Sequence, residues 1–521
     1  MTPTSYLGEP GIISWLFTLD HKRVSVLQLG GCALAGLVGI AVALLMQLQL
    51  GAGGMPIVGG KVFGRALTLH GIVMLFLVAI PGISGTVGTF LLPLQLGARN
   101  VAFPRVHLAG LHLWLAGAVL VVLSMLLGGA HTGWTFTPPL SITGGGSVVP
   151  LLLAVIALAA SALLRSLVVI VTLHRLRPRG MVWARIPPLG VALYAHSAVQ
   201  VIAAPVWIFT LLSLLLDRVL HIGLFDPELG GDPMLYVGVF AFLAHATVYS
   251  VILPAFGVVA EIVQGLAGRR LFWRRGFDLG MAATAVLLLL GGGQLPVVAF
   301  QSPTMTTLLG AATLLTAVPV SWMLLSLVGT LAAGFRRLEA PLLLAMAFVV
   351  HVTFGGFLGL ALPIPPLGRH LQGTMFVVAQ QHYLLVGGVL TALLAGVLFW
   401  WPKLSGKVYD ERAARWPVAA LFFGTHLSLF PLLIAGARGL PRRVGNALPE
   451  FHGLVHVALG GSILLVVGLL WLSGLLWMSL RSKRHAADNP WGARSLEWTC
   501  PSPPPPHNFD HPPRALEPAR S

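Results

Sequence analysis

Charge is what this chain has least of. Only 9% of its 521 residues are Asp, Glu, Lys or Arg, where a soluble domain carries about a quarter. With 56% hydrophobic residues and a mean hydropathy of +0.87, the composition excludes a cytosol-soluble fold as well as collagen-like and disordered classes. Cysteine is nearly missing too: Cys32 sits in an apolar run and Cys500 near the end, which excludes a disulfide framework and a thiolate metal site. There is no Walker motif and no dinucleotide fingerprint, and Gly291–Gly293 reads as a helix-packing stretch rather than a phosphate cradle. The sixteen acids avoid the middle of every apolar stretch, with Glu261 and Asp278 coming closest, at helix ends. A proton or cation carrier built on an intramembrane carboxylate is therefore disfavoured.

Long apolar runs fill the chain instead. Stretches able to cross about 30 Å of hydrocarbon recur near 24–48, 66–94, 107–128, 148–174, 190–216, 233–264, 276–298, 305–331, 340–363, 374–401, 417–437 and 453–480. Backbone groups in lipid must pair internally, so the expected fold is an all-α membrane protein of twelve transmembrane helices. The expected layout is a segment 1–23, a membrane domain 24–480 and a Pro-rich tail 481–521, read as extended rather than as a domain. The first 23 residues are too polar for a signal-peptide core, so no cleaved signal is expected.

The formal net charge is +16, yet the basic residues lie in short loops between apolar runs, which reads as topology and not as a nucleic-acid face. Twelve spans put both termini on one side. The opposite side holds only seven of the 32 Lys and Arg (Lys61, Arg65, Arg218, Arg369, Arg438, Arg442 and Arg443), while Arg165 falls inside the fourth span. By the positive-inside rule both termini are expected in the cytoplasm, in a bacterial inner membrane.

Histidine, unlike acid, is common within the spans: His70, His112, His196, His245, His351, His382, His426 and His456. Neutral imidazole is tolerated there and is a frequent iron or copper ligand. A lone histidine in a span more often bonds to a neighbouring helix, and spacing does not separate the two uses.

Seven short stretches, in order, resemble subunit I of the heme-copper oxidases, on the cytochrome c oxidase branch. They are Leu69-His70-Gly71, Gly97-Ala98 through Ala102-Phe103-Pro104-Arg105, Gly133-Trp134-Thr135 through Pro138-Pro139-Leu140-Ser141, and Thr353-Phe354-Gly355-Gly356. Then come Val377-Val378-Ala379 leading to His382-Tyr383, Leu440-Pro441-Arg442-Arg443, and Leu496-Glu497-Trp498-Thr499 before Pro501-Ser502-Pro503. The resemblance runs from about residue 15 to 510 and implies a twelve-helix bundle in three arcs.

The same resemblance implies a low-spin heme held by His70 and His382, with Arg442 and Arg443 beside its propionates and Trp134 among the cofactor-facing residues. The family's oxygen-reducing site does not carry over. Its high-spin heme ligand falls on Gln380, and its copper histidine pair falls on Gln294 and Leu295; only His245, with its partner Tyr249, remains. No histidine lies between His245 and His351 to substitute, and one imidazole does not hold a copper that needs three. The proton-route positions fall on Asn100, Thr247 and Met323, none of which titrates. Gln47 replaces an arginine that marks the A-heme branch, which tilts the heme towards b over a. His351 reads as a packing histidine, with a substitute-ligand role left open.

The expected function is thus a membrane electron-transfer subunit carrying one low-spin heme in a respiratory complex and unable itself to reduce oxygen or pump protons. No high-spin heme and no copper are expected. Its expected partners are the bilayer, other respiratory subunits, and a periplasmic redox protein such as a cytochrome c or a copper-containing subunit II. Two alternatives stand beside it: an active cytochrome c oxidase subunit with an unusual ligand set, and a cofactor-free structural or assembly subunit.

Overall fold

The computed structural model describes residues 5–8, 11–178, 180–291 and 302–509; within these, the side chains of residues 241–244 and 305 are not described. Among the described residues, eleven helices are long and apolar enough to cross a membrane: His21–Leu50, Gly60–Leu96, Pro104–Leu126, Val148–Arg175, Pro188–Leu220, Pro233–Ala267, Thr306–Ala332, Ala340–Gly359, Met375–Ser405, Glu411–Ala437 and Pro449–Arg481. A further helix, Arg274–Leu290, falls at the expected seventh span and is 17 residues long up to the edge of the described chain. We number the twelve in chain order as spans one to twelve.

The ends of these helices follow from local chemistry. Asp20, Asp232, Thr374 and Asp410 cap spans one, six, ten and eleven, each side chain accepting from a backbone N–H of the first turn. Spans six and ten stop at Gly268 and Gly406, both left-handed, where a side chain would be strained. The lipid-facing surface keeps large apolar residues exposed, such as Val119, Leu126, Phe209 and Phe357, because hydrocarbon and not water lies outside it.

Close helix contacts rest on glycine. A Cβ on Gly436, at the end of span eleven, would sit 1.9 Å from the backbone nitrogen of Phe376 at the start of span ten. A Cβ on Gly461 of span twelve would sit 2.2 Å from the backbone nitrogen of Ser428. Small residues let these backbones approach where packing, not hydrophobicity, drives association.

Spans two and ten are not regular α-helices. Span two widens into π-helix over Val73–Ala79 and again over Ile83–Gly88, and span ten does so over Leu385–Leu390. Such bulges are rare in helices and collect at functional sites.

The segment after span twelve packs back onto the bundle, which its composition does not foretell. Glu497 is fully buried and Trp498 and Cys500 nearly so. Glu497 Oε1 accepts from Gln95, Trp400 and Ser495. Lys22 Nζ donates to Pro506 O at 2.9 Å and to Asn508 Oδ1 at 2.7 Å, and lies 3.0 Å from Asp20. Tyr6 N donates to Pro504 O. Residues 496–509 thereby tie together the start of span one and the ends of spans two and ten.

Candidate heme site

His70 and His382 come together across the gap between spans two and ten. Their ring centroids are 6.2 Å apart and their planes parallel to within 7°. His70 Nδ1 lies 3.0 Å from Gly39 O on span one, and His382 Nδ1 lies 2.7 Å from Val378 O one turn earlier. A carbonyl only accepts, so in each ring Nδ1 carries the hydrogen and Nε2 keeps a bare lone pair. Metal-ligating histidines are usually oriented by such a bond from their other nitrogen.

The spacing fits one metal between two imidazoles. Two metal–nitrogen bonds of about 2.0 Å, plus roughly 1.1 Å from each nitrogen to its ring centre, place the centroids about 6 Å apart. Both rings are half-buried. Each histidine also stands three residues before a π-helical stretch, at Val73 and at Leu385. The residues present therefore fit a heme with two axial imidazoles.

Arg442 and Arg443 follow span eleven in a loop anchored to the start of span ten: Arg442 N donates to Gly373 O and Met375 N to Leu440 O. Arg443 holds a left-handed backbone at φ 66°. Both residues keep solvent-exposed surface, and neither enters an ion pair among the described residues. Partial burial and the like charge of Arg443 pull Arg442 below its usual pKa. Two unpaired cations side by side suit an anionic group such as a pair of propionates. Trp134 packs against Gly71, the residue after His70, where a Cβ would meet its side chain at 2.9 Å.

Of the positions expected to hold the oxygen-reducing centre, Gln380 is bonded to a neighbouring helix and His245 packs against Tyr249. Gln380 Nε2 donates to Gly355 O of span nine at 3.1 Å, in space that a Cβ on Gly359 would fill at 2.7 Å. His245 and Tyr249 lie ring against ring, centroids 4.4 Å apart, and His245 Nδ1 is buried without a partner. Gln294 and Leu295 lie outside the described residues. Among the described residues, no group of three or more His, Cys, Asp or Glu is placed to hold a metal ion.

Asn100 bridges backbone: its Nδ2 donates to Leu19 O, and its Oδ1 accepts from Val101 N and pairs with His21 Nδ1. Thr247 is buried with its hydroxyl unpartnered, while its carbonyl accepts from Gln200 and Ser250. Met323 is fully buried and fills the space over Gly280 of span seven. Gln47 Oε1 accepts from Ser462 Oγ of span twelve.

Two groupings were not singled out from sequence. His351 donates from Nδ1 to Gly387 O, and its ring lies 4.7 Å from that of His426, whose Nδ1 pairs with Tyr383 OH at 3.1 Å. Arg165, the one arginine read inside a span, is buried beside His107 and Trp114. Its position within an apolar run was a signal; its surroundings were not legible.

Over residues 23–470 the chain matches the family model described as cytochrome C and quinol oxidase polypeptide I. It is 31% identical to cytochrome c oxidase subunit 1 of Bacillus subtilis over 97% of this chain and 82% of that protein. With cytochrome c oxidase subunit 1 of Thermostichus vulcanus it shares 32% identity over 96% of this chain and 92% of the relative. A chain from a cryo-EM structure of a heme-copper terminal oxidase dimer has the same fold, with a TM-score of 0.75 at 18% identity, covering 89% of this chain and 85% of that one. The twelve-helix bundle and the sequence match together place the chain in the cytochrome c and quinol oxidase polypeptide I family, the membrane electron-transfer subunits of multi-subunit heme-copper respiratory oxidases.

Proposed function

We propose that the chain is an electron-transfer subunit with one low-spin heme bound by His70 and His382, and that it neither reduces oxygen nor pumps protons. The observation that carries this reading is the paired geometry of the two rings: 6.2 Å between centroids, with both Nδ1 atoms spent on backbone carbonyls. A heme held by both imidazoles would supply single-electron transfer. Around it, His70 and His382 hold their Nε2 lone pairs inward, and Arg442 and Arg443 offset the propionate charge from the non-cytoplasmic side. Gln47, late in the first span, favours heme b over heme a.

Oxygen chemistry needs a five-coordinate iron and a three-imidazole copper. Gln380 stands at the iron-ligand position with its amide bonded to span nine, and Gln294 and Leu295 stand at two copper positions. The two ligand histidines come early in even-numbered spans, which begin on the non-cytoplasmic side when both termini are cytoplasmic. A periplasmic redox partner, either a cytochrome c or a copper-containing subunit II, is therefore the electron donor or acceptor, in a bacterial inner-membrane assembly.

A second reading, an active oxidase with unusual ligands, draws on one observation: the retained His245 and Tyr249 pair, with a partnerless imidazole nitrogen. One experiment separates them. The purified protein is reduced, its optical spectrum taken with and without carbon monoxide, and its heme extracted and typed. A single low-spin heme b per chain and no carbon monoxide shift is the expected result. A second heme that shifts with carbon monoxide supports the active oxidase, and no heme leaves a structural subunit.

A further inference from the structure

Arg165 lies in span four, 6% exposed, with two protein hydrogen-bond acceptors. Its Nη1 donates to Gly85 O at 3.3 Å and its Nη2 to Gln28 Oε1 at 2.5 Å, while Nε has no acceptor. Neither partner is charged, and Arg165 enters no ion pair among the described residues. The position is built for it. A Cβ on Gly85 of span two would lie 2.4 Å from Nη1, and one on Gly110 of span three 2.9 Å from Cγ. The nearby thiol of Cys32 donates to Leu77 O and so keeps its proton.

Beside the guanidinium is a cavity between spans two, three, four and five. Arg165, Trp114, Ser161, Ser166, His196 and Ser197 line it, with about 20 Å³ open to the centre of a water-sized particle. That is room for one or two such particles and too little for a phosphate or a lipid headgroup. Trp114 is 4% exposed, and its indole N–H also lacks an acceptor. Two partnerless buried donors, one on a cation, thus border the same cavity. The Ser161 hydroxyl donates to Gly110 O and accepts from neither of them.

An arginine in the low-dielectric interior is costly unless its charge is met, and unmet buried donors are rare. Both are answered by one small occupant that accepts hydrogen bonds and carries negative charge. We propose that this cavity binds a single halide-sized anion, chloride under ordinary conditions, held by Arg165 and the Trp114 indole N–H. The proposal is independent of the heme reading.

The test uses the purified full-length protein in a gluconate buffer, titrated with radiolabelled chloride by equilibrium dialysis, with folding checked by circular dichroism. One saturable chloride per chain, displaced by bromide, is expected. Arg165→Met is expected to abolish it, and Trp114→Phe, which removes the N–H and keeps an aromatic ring, to weaken it by about tenfold, the worth of one good hydrogen bond. No saturable chloride on the folded wild type overturns the proposal and leaves water as the occupant. So does undiminished binding in a folded Arg165→Met; loss there upholds it. If Arg165→Met does not fold, Trp114→Phe decides: weakened binding upholds the site and unchanged affinity overturns it.

Discussion

The Nδ1 atom of His70 lies 3.0 Å from the carbonyl oxygen of Gly39, so the backbone of span one sets which nitrogen of a span-two ring faces the gap. His382 is set in the same sense from within its own helix, by Val378 O. The two rings are thus oriented by different means to one end, and four predictions grow from this arrangement and its surroundings.

Removing one ring tests the pairing. His70→Ala should insert and fold but lose the low-spin spectrum. Loss of a mere supporting bond to a metal ligand costs about 10–100-fold in affinity, and loss of the ligand itself should cost at least that. The reduced optical spectrum and heme content per chain are the measurements; an unchanged low-spin band in the mutant would refute the assignment.

Restoring a histidine at the former high-spin position should not restore oxygen chemistry. Gln380 points its amide at Gly355 of span nine, and in the proposed reading Gln294 and Leu295 stand where copper needs histidines. Gln380→His should therefore show no carbon monoxide shift and no oxygen consumption with reduced cytochrome c. Appearance of either would mean that a metal centre persists around His245.

Gly436→Ala should damage the site from a distance. The new methyl would fall 1.9 Å from the Phe376 backbone nitrogen, and backbone does not yield as a flexible side chain does. Overpacking of this kind costs about 1–3 kcal/mol or more. It would push the start of span ten, and His382 with it, away from span eleven. Thermal unfolding followed through the heme band should show a lower midpoint and a weaker low-spin signal; wild-type values for both would count against the tight contact.

Glu497 supplies a pH dependence. Burial raises its pKa above the usual carboxylate value, so the folded state favours the protonated form. A raised folded pKa contributes stability that is present at low pH and lost as pH climbs through the raised value. Glu497→Gln mimics the neutral acid, keeps an oxygen for Gln95, Trp400 and Ser495, and should remove that loss. Its unfolding midpoint should exceed the wild type's by about 1–2 °C at pH 8 and by less at pH 5. Equal profiles at the two pH values would show that the carboxylate is not held neutral.

Hydropathy alone made the helices legible, because a lipid-crossing run of some twenty apolar residues has few other uses. His70 and His382 were legible only through the motifs around them; eight intramembrane histidines look alike by spacing. What sequence hid is what depends on three-dimensional neighbours. The π-helical turns after each ligand leave no compositional mark. The tilted ring contact between His351 and His426 joins spans nine and eleven, 75 residues apart in number. The packing of residues 496–509 was concealed by a proline-rich composition that ordinarily means solvent, where here the prolines lend carbonyls to Lys22 and Tyr6.

That last contact bears on how the protein is made. The ammonium of Lys22 enters the ribosomal tunnel near the beginning of synthesis, and its acceptor Asn508 follows 486 residues later. At about 5–20 residues per second, the first helix waits on the order of half a minute or more, with eleven others made in the meantime, before this end of it is closed. In that interval Lys22 has Asp20 beside it but not its acceptors Pro506 and Asn508. The contact between residues 496–509 and Lys22 therefore forms only after every helix that lies between them in the chain has been made.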